Sequence, residues 1–262
     1  MIAAVLQLPS IGMSSTKIYH HIRIAHKKDV KVLVLGEYLL NSFFKELEGM
    51  SVAMIKEQSE HQTKILKELS LTYAMTIIAP LIIVKKKQLY KCIVKFSPNS
   101  ISYYYQQILI NYPHWNEAKF FANETSILKA PMIFSVDGFK FAVMSGFEMH
   151  VDKLWTMASQ KNVDAVIVPS VSTFESSSRW KNLAQMRAFT HNCYVLRANR
   201  IGEYKEKEYT WQFYGDSFLI DPNGEIVNDL GNKEELMIVE ISHAEVREAK
   251  RNWGFRELNT KY

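Results

Sequence analysis

Short strand-like apolar runs recur along the whole chain, and segments with helical spacing separate several of them. The runs are Ile2–Leu8, Val32–Leu35, Met75–Ala79, Gln88–Phe96, Ile101–Ile110, Met132–Ser135, Phe139–Met144, Ala165–Val168, Cys193–Ala198, Ser217–Ile220 and Glu235–Glu240. Ile18, Ile22 and Ala25 follow the i, i+4, i+7 spacing of one helix face after Ser14-Ser15, a plausible N-cap. The segments Ser51–Leu71, Asp152–Lys161 and Ser178–Asn192 also read as helices. Strands alternating with helices at this density imply an α/β protein. Turns fall at Ser97-Pro-Asn-Ser100, Val136-Asp-Gly138 and Asp221-Pro-Asn-Gly224.

With 47% apolar residues in 262, the chain can bury a sizeable core. No linker, low-complexity tract or repeat divides it, so residues 1–262 read as a single domain. The net charge of +5 would suit an acidic partner, but apart from Lys85-Lys-Lys87 the basic residues are scattered and accompany no nucleic-acid recognition motif. Two cysteines, Cys92 and Cys193, make no disulfide framework, which fits a cytoplasmic location. No apolar stretch reaches the ~18–20 residues that span a bilayer. The sequence offers no metal-ligand spacing, glycine-rich phosphate loop or Gly-x-Ser-x-Gly elbow, so no cofactor or metal is expected.

Three segments carry a more specific signal: Lys140-Phe-Ala-Val-Met-Ser-Gly-Phe-Glu-Met-His150, the stretch from Gln185 to Gly202 containing Cys193-Tyr-Val-Leu-Arg-Ala-Asn-Arg200, and Tyr214-Gly-Asp-Ser-Phe-Leu-Ile-Asp-Pro-Asn-Gly224. In order and spacing they resemble the nitrilase (carbon–nitrogen hydrolase) superfamily. That resemblance implies a four-layer αββα sandwich and a homodimer formed through the helices after the nucleophile strand. It also implies hydrolysis of amides or nitriles by a cysteine nucleophile, a glutamate base and a lysine, with a second glutamate holding the lysine.

Carried over one position at a time, the base falls on Glu37 in Lys31-Val-Leu-Val-Leu-Gly-Glu37, with Gly36 where the family usually has proline. The lysine position falls on Gln106, or on Gln107 if the alignment slips by one, and the second glutamate on Glu117. The nucleophile position falls on Gly146, which has no side chain to attack with. Ser145 is adjacent, but neighbouring strand residues face opposite ways, and Cys193 reads as a small buried thiol. Glu148 with His150 is a further acid–base pairing, on the turn after the strand. Phe147, Phe174, Trp115 and Trp180 are placed to line a pocket suited to a flat or apolar group.

Two readings follow. In the first, the protein keeps the family's scaffold and a pocket for a small amide-like or amine ligand but has lost thiol-dependent amidase activity. In the second, it remains a carbon–nitrogen bond hydrolase, with Glu37 activating water in place of the cysteine. With Gln106 replacing the lysine, Glu37 and Glu117 lie together without a cation. They would then titrate as a coupled unit, at least one raised, or recruit a positive group such as Lys119, an amine or a metal ion. Such a pocket would favour cationic ligands.

Overall fold

The computed structural model describes residues 1–261 apart from 125, 207 and 208. The first half comprises β1 (Ile2–Gln7), α1 (Thr16–Lys27), β2 (Val32–Leu35), the single turn α2 (Phe44–Leu47), α3 (Val52–Thr72), β3 (Thr76–Lys85), β4 (Gln88–Ser97), β5 (Ser100–Tyr105) and the single turn α4 (Glu117–Phe120). The second half continues with β6 (Met132–Val136), β7 (Phe139–Val143), a 3₁₀ turn (Phe147–His150), α5 (Asp152–Gln160), β8 (Ala165–Pro169), α6 (Ser177–His191) and β9 (Tyr194–Ala198). It ends with β10 (Ile201–Glu206), β11 (Tyr209–Tyr214), β12 (Phe218–Ile220), β13 (Ile226–Asp229), β14 (Glu235–Glu240), α7 (His243–Trp253) and α8 (Phe255–Lys261).

Two six-stranded mixed sheets, ordered β14-β1-β2-β3-β4-β5 and β13-β12-β9-β8-β7-β6, form the centre. Strand side chains alternate between faces, so each sheet presents two apolar surfaces. Ala3, Val5, Val32, Val34, Ile78 and Ile93 of the first sheet pack with Phe141, Val143, Ala165, Ile167, Leu196 and Leu219 of the second. On the outer face of the first sheet, Ala4, Leu6, Leu33 and Ile77 meet Ile18 and Ile22 of α1 and Leu66 and Leu69 of α3. The outer face of the second, with Ala142, Val166, Val168 and Val195, meets Leu154, Trp155 and Ala158 of α5 and Ala184 and Ala188 of α6. The result is the helix–sheet–sheet–helix sandwich.

Several boundaries differ from the sequence reading. The run Ile101–Ile110 is strand only to Tyr105, because the Gln107 and Ile108 amides leave the ladder and donate to the Glu148 carboxylate. Ser15 occupies the N-cap position of α1 but makes no side-chain capping bond, whereas Ser51 accepts from the Met54 amide and does cap α3. The β10–β11 hairpin, β13, α7 and α8 were not legible as elements. α8 packs on both α5 and α6, where the Arg256 guanidinium donates to the Val163 and Ser159 carbonyls. No helix among the described residues is long and apolar enough to cross a membrane.

Candidate active site

Glu37 follows β2, and its amide donates to the Ser170 carbonyl at 3.0 Å, tying the ends of β2 and β8 together. Gly36 is explained by the same crowding: a Cβ there would lie 2.9 Å from the Asn199 carbonyl carbon. The next residue, Tyr38, sits at φ +55, a conformation L side chains rarely adopt. Its carbonyl is held by Arg200 Nη1 at 2.8 Å. Its hydroxyl donates to Glu117 Oε1 at 2.5 Å. Glu117 opens α4 and is fully buried.

The cation between the two carboxylates is Lys91, not a residue near Gln106. Its Nζ lies 2.9 Å from Glu37 Oε2 and 2.7 Å from Glu117 Oε1. It also lies 4.9 Å from the centre of the Tyr38 ring. Along β4, Leu89, Lys91 and Ile93 share the inward parity, and all three are buried. The Gln106 amide donates to the Lys91 carbonyl at 3.0 Å, so the two positions neighbour each other across the end of the β4–β5 ladder. The charge has moved one rung sideways and reaches the glutamates from the adjacent strand. Gln106 itself turns back, Nε2 donating to the Ile108 carbonyl at 2.7 Å. Lys119 is exposed and plays no part. The expectation of a carboxylate pair without a lysine is therefore corrected.

Burial raises Glu37 to about 7; Lys91 pulls it down, but Glu117 adds to the rise. Lys91 is itself raised: burial alone would lower it, and the attraction of Glu117 and Glu37 prevails. One ammonium thus faces two carboxylates, one of which holds a proton near neutrality.

At the nucleophile position the backbone gives no room. The Gly146 amide donates to the Pro169 carbonyl at 2.8 Å. A Cβ on Gly146 would meet Ser170 Cβ at 2.7 Å and Ser170 Cα at 3.2 Å. The Gly146 backbone is right-handed helical, φ −50 and ψ −49, so closeness rather than torsion calls for glycine. Ser170 Oγ accepts from Arg197 Nε at 2.9 Å. Arg197 is fully buried and also donates to Ser172 Oγ and, at 3.4 Å, to the Asp216 carbonyl.

The other sequence candidates have structural partners. Glu148 is buried and accepts from the amides of Ser145 (2.8 Å), Gln107 (2.6 Å) and Ile108 (3.3 Å) and from the Tyr104 hydroxyl (3.0 Å). Burial raises its pKa, against the pull of those donors. It clamps the turn after Gly146 to the segment after β5. His150 bonds the Phe147 carbonyl rather than Glu148, so the Glu148–His150 pair does not form. Cys193 is buried, its thiol pushed up to about 12 by that burial. Ser145 Oγ is buried without a hydrogen-bond partner among the described residues.

Phe147, Phe174, Trp115 and Trp180 line an open cleft of about 330 Å³, together with Tyr112, His114, His150, Ser172 and Arg179. Glu37, Lys91, Glu117, Gly146 and Glu148 are not part of its wall. Glu37 and Lys91 instead border a void of only about 10 Å³, between Tyr38, Asn41 and Ile82. The described residues contain no cluster of metal-ligating side chains.

A two-sheet sandwich with glutamate, lysine and glutamate gathered at the strand ends defines an enzyme-type scaffold, and the sequence match says which. Residues 2–251 match the carbon–nitrogen hydrolase family, and the chain belongs to it. Over its length it superposes on a carbon–nitrogen hydrolase from Helicobacter pylori G27 with a TM-score of 0.86 at 22% identity, covering 98% of this chain and 94% of that one. The Saccharomyces cerevisiae nitrilase-superfamily protein Nit3 superposes with a TM-score of 0.77 at 19% identity, covering 97% and 94%. An amidase from Nesterenkonia sp. AN1, which adds acrylamide at its active-site cysteine, gives 0.76 at 15% identity, covering 97% and 99%. Among curated relatives, a deaminated glutathione amidase of Synechocystis is 27% identical over 139 residues, 52% of this chain and 48% of the relative. An omega-amidase of Saccharomyces cerevisiae is 30% identical over 103 residues, 39% of this chain and 34% of the relative. These alignments span half or less of the relatives' length.

Proposed function

We propose that this protein keeps the carbon–nitrogen hydrolase scaffold and a small-ligand cleft without the thiol-dependent amide hydrolysis of its family. The observation that carries this reading is the contact at Gly146, where Ser170 fills the space a nucleophilic side chain would need. Glycine alone would remove the attacking atom; the packing removes the place for one. The glutamate–lysine–glutamate cluster then acts as a structural core, buried and outside the cleft wall. The test is an assay of the full chain against aliphatic amides, N-carbamoyl compounds and nitriles. No turnover is expected, and turnover abolished by Glu37→Gln would overturn the reading.

One observation favours a second reading. Glu37, raised to about 7 and paired with Lys91, has the proton affinity of a general base that works at neutral pH. A hydrolase using Glu37-activated water would give the turnover just described, falling on acidification as Glu37 takes up a proton. Against it stands the closure of Glu37 from the cleft.

A further inference from the structure

We propose that the cleft binds a flat aromatic ring carrying a single negative charge, a carboxylate being the simplest such group; this rests on the reading that the cleft holds a ligand and performs no thiol chemistry. The charge follows from what surrounds it. Its wall carries Arg179, His114 and His150 and no carboxylate. Behind the wall lies Arg197, wholly buried and with no carboxylate in ion-pair contact among the described residues. The nearby Asp216 carboxylate is taken by Lys181 at 2.7 Å and by the Ser177 hydroxyl. A buried cation without a counter-ion is costly unless an anion approaches it.

Arg197 reaches the cleft through Ser172. Its Nη2 donates to Ser172 Oγ, and no printed bond uses the Ser172 hydroxyl hydrogen, so that hydroxyl is left as a donor in the cleft wall. A hydroxyl whose oxygen already accepts from a guanidinium is a strengthened donor toward an anion. The guanidinium also lies 4.9 Å from the centre of the Trp180 ring, whose edge meets His150 at 4.9 Å.

Phe174 supplies the argument for a ring. It holds φ +61, an unfavourable backbone for an aromatic residue, yet stays 58% exposed. Its ring meets those of His114 at 5.6 Å and Trp211 at 5.2 Å, at the border between the cleft and a second open hollow of about 710 Å³ beside Trp211. Strain and exposure together bring folding no evident return, whereas a ligand ring lying between Phe174, Phe147 and Trp180 would use both.

The test is calorimetric titration of the full chain with 2-naphthoate, with naphthalen-2-ylmethylamine and cyclohexanecarboxylate as controls. Naphthoate should bind roughly tenfold tighter than either control. Phe174→Gly, which relaxes the backbone, should weaken naphthoate several-fold without lowering Tm, and Arg179→Gln, an exposed change, should weaken it as well. An amine that binds as well as the acid, a saturated acid that binds as well as the aromatic one, or unchanged affinity in Phe174→Gly would overturn the proposal. Amide turnover would sink the proposed function and leave these binding results standing, so the two failures are distinguishable.

Discussion

Ser170 stands where any side chain on Gly146 would have to go, its Cβ 2.7 Å from the position a Cβ would take. The crowding involves the Ser170 backbone as well as its side chain, Cα lying at 3.2 Å, and the Ser170 carbonyl is fixed by the Glu37 amide. A rotamer change alone therefore does not make room. Restoring a cysteine here means moving the end of β8, to which Glu37 is tied.

Gly146→Cys and Gly146→Ala should each destabilise the fold by about 1–3 kcal/mol, the usual range for overpacking a close-packed site. Adding Ser170→Gly should recover part of that loss, since it removes the nearer contact and leaves the Cα one. Equilibrium denaturation of the single and double variants measures both. Additive, uncoupled effects would show that the two residues do not compete for space.

Removing the cation should be worse. Lys91→Met leaves Glu37 and Glu117 buried together with no positive charge against either, and breaking a buried pair this way costs about 3–5 kcal/mol. Protonating the orphaned carboxylates would offset part of the loss, so the variant should be relatively more stable at low pH. Urea unfolding at pH 5 and pH 8 separates this from simple loss of packing, which would cost the same at both.

The relocation of Lys91 shows how far the sequence could be read. The strand Val32–Leu35 and the helices after Ser51, before Lys161 and before Asn192 follow from period and capping, and the structure has them within a residue or two. Glu37 and Glu117 followed from the family resemblance, and the structure brings both onto Lys91. Lys91 was missed because the family's lysine was sought only along its own segment, where Gln106 stands. The signal was present: in Gln88–Phe96 a lysine shares the parity of Leu89 and Ile93, which a half-buried strand reserves for its core face. The Gly146–Ser170 contact had no such signal, because it joins the ends of β7 and β8 and depends on their separation to within an ångström. The expected preference for cationic ligands fails for the same reason as the missing lysine: the charge was there, one strand away.

Glu148 should prove a structural acid. Glu148→Ala strands the amides of Ser145, Gln107 and Ile108 in a buried setting, at about 1–3 kcal/mol for each donor left unmade. Water entering the vacated space would moderate the sum. Hydrogen exchange should show these three amides losing protection together, and protection retained would mean that Glu148 is not their anchor.

A homodimer through α5 and α6 remains a proposal, and α8 changes how it would be built. The Trp253 ring is 50% exposed and stacks on Phe255 above Phe189, while Leu258 is 56% exposed. A two-fold contact on this side would place α8 in the interface rather than α5 and α6 alone. Light scattering should give a dimer that Trp253→Ser with Leu258→Ser shifts toward monomer. A strict monomer at micromolar concentration would refute it.

The pH dependence of stability should carry the signature of Glu37. Its folded pKa of about 7 lies above the ordinary 4.5, so the folded state holds a proton that the unfolded state releases between those values. Stability from this group is fully present below pH ~4.5 and is lost as pH rises toward and through ~7, a fall on the order of 3 kcal/mol at ~1.4 kcal/mol per unit. Above that range the contribution stays flat, because Glu37 is then ionised in both states. Glu37→Gln is neutral at every pH and should flatten the fall, leaving the variant relatively more stable at pH 8 than at pH 5 when each is compared with the parent chain. Its amide group would face the Lys91 ammonium through oxygen or through nitrogen; the oxygen-facing orientation keeps an acceptor for Lys91 and is the one expected. Urea unfolding of both proteins at half-unit steps from pH 4.5 to pH 8.5 gives the two curves, and parallel curves would mean that Glu37 is ionised throughout and that its burial beside Glu117 is fully offset by Lys91.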